Sequence, residues 1–274
     1  MKGLHNQQMR ASKAVQLLSL LPKRPVEFFD RVMTVVERTS DSVGTFRNGH
    51  GHTLTFTDAL SAALGVSSSD ITKLLAESEL QRLEMKVSEQ ITNAKSTGPF
   101  DSGHNGNFCL ARSIYVICRL LSPNVVLETG VAYGVTSALT LQALAVNGKG
   151  ALISVDLPPL GKDADRHVGA FIPHELRDRW YLHRGPAKRI LPKLFPSIGE
   201  VDIFVHDSLH TYRHMSFEFE TAWPYVRPGG AVVSDNVDLN DAFRHFTARV
   251  NPAFSAMVEE ENTSDLLGIM IKRP

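Results

Sequence analysis

Residues 124–156 read NVVLETGVAYGVTSALTLQALAVNGKGALISVD. The β-branched run Asn124–Thr129 predicts a strand, Thr136–Val146 a helix and Ala151–Asp156 a second strand. A strand, a helix and a strand within roughly 30 residues form a parallel crossover unit. The alternation continues outward from it. Tyr181–Arg184 reads as a strand, Ala187–Phe195 as a helix, Val201–His206 as a strand, Thr211–Val226 as a helix opened by Thr211, Ala231–Ser234 as a strand and Asp241–Val250 as a helix. Strands and helices in this order make a parallel sheet covered on both faces. The end departs from it. Ala256–Glu259 and Leu266–Ile271 are joined by Glu260–Asp265 with no helix between, which calls for an antiparallel hairpin at the sheet edge. Residues 1–95 read mainly as helix, over Val26–Arg38, Thr57–Leu64 and Asp70–Ile91, the last with cap candidates at Ser67–Asp70. The break Ser96-Thr97-Gly98-Pro99 divides the chain into an N-terminal helical region, 1–95, and an α/β domain, 96–274.

Composition excludes several classes. The chain has 274 residues, 43% hydrophobic and 21% charged, so it can bury a core and is neither disordered nor collagen-like. Lys plus Arg and Asp plus Glu both number 29, and no charged tail or half stands out, so no nucleic-acid-binding surface is advertised. No run of 18 apolar residues occurs, and Ala14–Leu21 reads as an amphipathic helix rather than a signal peptide, so no membrane association is expected. Cys109 and Cys118 fall nine apart on one expected helix, too far to bridge, which fits a reducing, cytoplasmic compartment. His50 and His52 in the turn Asn48–His52 have no further ligands near in sequence and read as a solvated turn.

In open α/β sheets ligands lie beyond the carboxyl ends of the strands. After the first strand comes Glu128-Thr129-Gly130-Val131-Ala132-Tyr133-Gly134-Val135-Thr136. Gly130 and Gly134 permit a tight turn and close approach of a ligand ahead of a helix N-terminus. Glu128 stands where a dinucleotide fingerprint has its first glycine; its carboxylate would repel a phosphate and suits a cationic ligand. Asp156 ends the next strand, where it can accept hydrogen bonds from both hydroxyls of a ribose.

With these residues the sequence resembles the class I S-adenosylmethionine-dependent methyltransferases over about residues 107–274. The resemblance implies a Rossmann-like α/β fold, mostly parallel with a terminal antiparallel hairpin, preceded here by the helical region. It places Gly130, Tyr133, Gly134 and Thr136 along the cofactor, Glu128 in support of the loop, Asp156 on the ribose, and Gly185 and Ala187 at the adenine.

The strand Val201–His206 delivers Asp207, and the strand Ala231–Ser234 delivers Asp235-Asn236 to the same edge. Were these strands neighbours, about 4.8 Å apart, two carboxylates and an amide oxygen could converge on a hard cation, Mg²⁺ or another divalent ion. The pattern is similar to metal-dependent O-methyltransferases of the catechol and caffeoyl-CoA type, whose metal ligands Asp207, Asp235 and Asn236 match; Asp207 would also border the cofactor. Where the catechol enzymes carry a lysine base, this chain has His210. The D-x-x-H form is more similar to bacterial enzymes methylating sugars and other natural-product hydroxyls. A hydroxyl held by a metal is acidified and a nearby imidazole can take its proton, so His210 reads as the general base, ahead of a polar helix-start residue that caps or solvates the turn.

Other histidines divide by element. His206 belongs to the strand and points opposite to Asp207, as a packed or hydrogen-bonded residue. His214, one turn past His210, reads first as a solvated helix position and second as a substrate contact. Phe217, Phe219, Trp223 and Tyr225 read as core and interface aromatics. His104, Asn105 and Asn107 read equally as a ligand-reaching loop or a helix entry, and Leu157–Arg179 as a lid over the acceptor that Trp180 either closes or packs beneath. The expected activity is Mg²⁺-dependent O-methylation of a small hydroxylated acceptor, with residues 1–95 shaping the acceptor pocket or a homodimer or higher homo-oligomer interface. A nicotinamide-dependent oxidoreductase and a non-catalytic S-adenosylmethionine-binding regulator are the alternatives.

Overall fold

The computed structural model describes residues 13–41, 53–94, 100, 108–161, 163–259 and 265–274. The turn at Asn48–His52, the break at Ser96–Pro99, and His104, Asn105 and Asn107 lie outside the described residues. The N-terminal part comprises α1 (13–20), α2 (Pro25–Ser40), β1 (Thr53–Leu54), α3 (Phe56–Leu64), α4 (Ser68–Leu75) and α5 (Ser78–Ala94). Then follow α6 (Phe108–Leu121), β2 (Val125–Thr129), α7 (Val135–Val146), β3 (Ala151–Asp156), α8 (Ala164–His167) and, after a 3₁₀ turn, β4 (Trp180–Arg184). The chain ends with α9 (Ala187–Ile198), β5 (Val201–His206), α10 (Tyr212–Ala222), β6 (Val226–Ser234), α11 (Ala242–Val250), β7 (Phe254–Glu259) and β8 (Leu266–Ile271).

The strands form one sheet in the order β1-β7-β8-β6-β5-β2-β3-β4. Strands β2 to β6 pair in parallel, and β8 runs antiparallel to both β6 and β7. The terminal hairpin is thus present, with β8 inserted between its partner and the parallel strands. Burial explains the arrangement: β5 is buried at every position, as a strand covered on both faces must be, whereas β4 is largely exposed at the edge. Helices α3 to α7 pack one face through Leu60, Ile71, Leu80, Ile114 and Leu139; α9, α10 and α11 pack the other through Leu191, Phe219 and Phe243. The order reverses between β2 and β5, which opens a crevice beyond their carboxyl ends.

Three elements differ from the sequence reading. The helix over Asp70–Ile91 is two helices, α4 and α5. At the break Glu77 turns its carboxylate to the Tyr115 hydroxyl and to Arg119, at 3.0 Å, on α6. Ser67 caps α4, accepting from the Asp70 N–H. The helix over Thr211–Val226 stops at Ala222: Pro224 lacks an N–H to continue the ladder, and Val226 already belongs to β6. Finally, β1 adds a two-residue parallel strand beside β7, too short to carry an alternation. Cys109 and Cys118 are free, the latter buried.

Candidate active site

Strands β2 and β5 are neighbours, and so are β5 and β6, with His206 paired to Ser234. Asp207 and Asp235 are therefore the first residues past two adjacent strands. The ladder continues one step beyond them: the Asp207 N–H donates to Thr129 O and the Asp235 N–H to His206 O, each at 2.9 Å. Gly130, at φ +83°, is pressed against this edge, since a Cβ there would lie 1.9 Å from the Asp207 carbonyl oxygen. The glycine is required by both its conformation and its closeness to Asp207.

Asp207, His210 and Asp235 each offer one ligand atom within 4.8 Å of the others. His210 Nε2 lies 3.8 Å from Asp207 Oδ1. Asn236 lines the same cavity, in the left-handed conformation (φ +49°) that Asn tolerates better than most residues. Burial and then the Asp235 carboxylate hold Asp207 well above the usual carboxylate range, and burial lifts Asp235 to about 6. Asp235 Oδ1 is buried without a hydrogen-bond partner. Two crowded carboxylates with an unused buried oxygen form a donor set that a hard divalent cation fits.

A cavity of about 1290 Å³ runs from this cluster past Gly130, Thr136 and Asp156 to Gly185 and Ala187. Asp156 takes the Ala132 N–H at 3.1 Å, while burial raises its carboxyl to about 6. Glu128, Tyr133 and Gly134 are not on the cavity wall. Glu128 lies beneath the loop, accepting from Ser137 Oγ at 2.5 Å and Ser154 Oγ at 2.6 Å, and burial pushes it up to about 7. Its tie is to the loop's scaffold rather than to the cavity. The Tyr133 ring stacks on Phe171 and meets Phe100 edge-on, and Gly134 packs against Gly169 and Ile172. The segment Leu157–Arg179 is accordingly no detached lid: Phe171, Ile172 and Leu176 are buried in the core, and Trp180 packs, donating to Ser154 Oγ at 2.8 Å. Among its described residues only the start, at Leu157, Pro159 and Leu160, reaches the cavity.

The sequence reading missed Glu218. It is fully buried on α10 and accepts from Thr129 Oγ1 at 2.5 Å, His206 Nδ1 at 2.6 Å, Ser208 Oγ at 2.7 Å and His214 Nε2 at 3.0 Å. Burial alone would raise its pKa, but His206 and His214 hold it far below the usual range. His206 is thus the hydrogen-bonded strand residue expected. His214 is not solvated: despite burial, Glu218 and Glu37 raise it to about 9. The available signal was the four-residue spacing of His214 and Glu218 on one helix face.

Glu37 introduces the cavity's roof. Helix α2 buries a single residue, Glu27, and is fastened by charge: Glu27 to Arg31 and Arg184 at 2.6 and 2.8 Å, Asp30 to Arg189 at 2.9 Å, Glu37 to Lys188 at 2.7 Å. Arg31, Thr34, Val35 and Arg38 then cover the cavity from above, with Lys13 and Leu17 of α1.

Residues 127–237 match a protein family described as a methyltransferase domain. The match takes in β2 to β6, and the sheet around it has the Rossmann-like α/β fold of such methyltransferases. Solved structures share that fold. The SAH-bound methyltransferase PaMTH1 of Podospora anserina superposes with a TM-score of 0.53 at 16% identity, over 68% of this chain and 88% of that one. The O-methyltransferase TomG of Streptomyces achromogenes, solved with SAM and involved in tomaymycin synthesis, gives 0.51 at 18% identity over 69% and 89%. An O-methyltransferase from Bacillus cereus in complex with SAH gives 0.50 at 14% over 69% and 90%. No curated protein matches the sequence. Within the matched stretch fall Gly130, Thr136, Asp156, Gly185, Ala187, Asp207, His210, Asp235 and Asn236, each of which faces the cavity.

Proposed function

We propose that this chain is a cytoplasmic, divalent-cation-dependent O-methyltransferase that transfers the methyl group of S-adenosylmethionine to a hydroxyl of a small molecule, of sugar or other natural-product type. The observation that carries the reading is the convergence of Asp207, His210 and Asp235 in a cavity that also reaches Asp156. O-methyltransferases among the fold's relatives support it.

When bound, S-adenosylmethionine would supply the methyl group and a divalent cation would make the acceptor hydroxyl more acidic. The chain's residues account for the rest. Asp207, Asp235 and Asn236 are the oxygens that would hold the cation. Asp156 would hold the ribose hydroxyls, and Gly185 and Ala187 would border the adenine. His210 takes the proton from the acceptor hydroxyl. Because the departing group is a neutral thioether, no acid has to assist it, and the protein's remaining work is alignment and exclusion of water. Gly130 and the roof of α2 serve those two ends.

Transfer of labelled methyl groups to a panel of sugars and polyhydroxylated natural products tests this. Activity should disappear with a chelator, return with Mg²⁺, and be abolished in Asp207→Ala. Transfer unaffected by both the chelator and the substitution would refute the reading. Cofactor binding with no product and no cation dependence would favour the non-catalytic regulator instead.

A further inference from the structure

The helices over the cavity are turned the unusual way round. The residues of α2 that fasten it to the domain are polar: Glu27, Asp30, Arg31 and Glu37 make the ion pairs, and Thr34 and Arg38 line the cavity beside Val35. Val26, Phe29, Met33 and Val36, spaced at three and four residues, share the opposite side and are 48–64% exposed. Val15 and Leu18 of α1 and Leu21 just beyond it add three more apolar side chains, 43–66% exposed. A surface helix ordinarily points its apolar stripe at the core and its charges at water. On α2 that order is inverted, and α1 adds exposed apolar side chains beside it in sequence.

We propose that the outer face of α1 and α2 is the interface with a second copy of this chain. Seven side chains exposing on the order of 100 Å² each, the scale of a Val, Leu or Phe left out of a core, make a face of about 700 Å². That exceeds what a monomer commonly leaves in one patch and approaches the about 800 Å² that each partner contributes to a standard interface. The adjoining segments 1–12 and 42–52 are poor in apolar residues, with Met1, Leu4, Met9, Val43 and Phe46 as their large ones. A lipid surface is a poorer match, since residues 13–41 carry five basic and four acidic side chains, without the basic excess that draws a helix to anionic membranes. A two-fold pair buries the same face on both copies at once, so one apolar surface suffices. Pairing would press α2 onto its ion-paired seat from outside, and the acceptor cavity would be roofed by a helix held from both sides.

Sedimentation velocity of the full chain at micromolar concentration tests the proposal independently of any methyl transfer. The wild type should sediment as a dimer, and Phe29→Glu combined with Met33→Glu as a monomer of half the mass with an unchanged far-ultraviolet circular dichroism spectrum. Should that variant fail to fold, Leu18→Lys with Val36→Lys removes the same face. A monomeric wild type, or a dimer that survives whichever of these double substitutions folds, would overturn the proposal. So would a monomer that co-sediments with vesicles of equal zwitterionic and anionic phospholipid, which would hand the face to a membrane.

Discussion

Replacing Gly130 by alanine tests the close approach of β2 to β5 on which the site is built. Two costs arise. An L-residue at φ +83° is disfavoured by about 1–2 kcal/mol. The new Cβ would also stand 1.9 Å from the Asp207 carbonyl oxygen and 2.5 Å from its carbon, both backbone atoms, so no side-chain rotation relieves the clash. Overpacking of that kind adds about 1–3 kcal/mol. Gly65 supplies the control, because it has φ +66° and a Cβ added there would meet nothing within 4 Å, leaving only the conformational cost. Gly65→Ala should lower the unfolding temperature by about 3 °C and Gly130→Ala by about 9 °C, at roughly 3 °C per kcal/mol. Calorimetric titration with S-adenosylhomocysteine should show unchanged affinity in Gly65→Ala and at least tenfold loss in Gly130→Ala, because the backbone of Asp207 must move. Equal destabilisation of the two variants, or normal binding in Gly130→Ala, would show that the loop after β2 does not lean on Asp207 as described.

Three further outcomes follow from the buried charges. His214, raised from 6.5 to about 9, stabilises the fold fully below pH 6.5 and progressively less as pH rises through 9, by up to about 3 kcal/mol. The stability gap between wild type and His214→Gln should narrow across that window, and a constant gap would contradict it. Asp235, raised to about 6, costs stability as pH rises through 6. In chelator, Asp235→Asn should therefore unfold about 3–6 °C above wild type at pH 8, the difference closing below pH 4, and added Mg²⁺ should stabilise only the wild type. Glu218→Gln presents an amide to four donors and leaves His206 and His214 poorly paired; a loss of about 3–5 kcal/mol is expected in denaturant unfolding, and a loss under 1 kcal/mol would contradict the role given to that carboxylate.

The buried strands of the sheet were legible because their pattern is local. Ala151–Asp156, Val201–His206 and Leu266–Ile271 are read with the bounds they have, since apolar strands between turn residues carry their own signal. The pairing of Asp207 with Asp235 was legible on the condition that β5 and β6 adjoin, which they do. What escaped depends on contacts distant in sequence. Glu77 breaks a continuous helical pattern because Tyr115 and Arg119, on another helix, claim its carboxylate. His214 reads as solvent-facing until Glu37, 177 positions earlier, closes over it. Tyr133 lies within the loop motif, yet Phe171, far along the chain, stacks on its ring behind the cavity. The segment Leu157–Arg179 has the length of a lid, but Phe171 and Ile172 are apolar enough to be drawn into the core.

The central claim is that one cavity seats a sulfonium cofactor on Asp156 and a divalent cation on Asp207, Asp235 and Asn236. A crystal grown with S-adenosylhomocysteine and Mn²⁺, with anomalous scattering recorded to locate the cation, tests it most directly. The account predicts a ribose hydrogen-bonded to Asp156 and a cation about 2–2.3 Å from oxygens of Asp207, Asp235 and Asn236. A cation bound elsewhere, or a cofactor whose ribose does not reach Asp156, would contradict it.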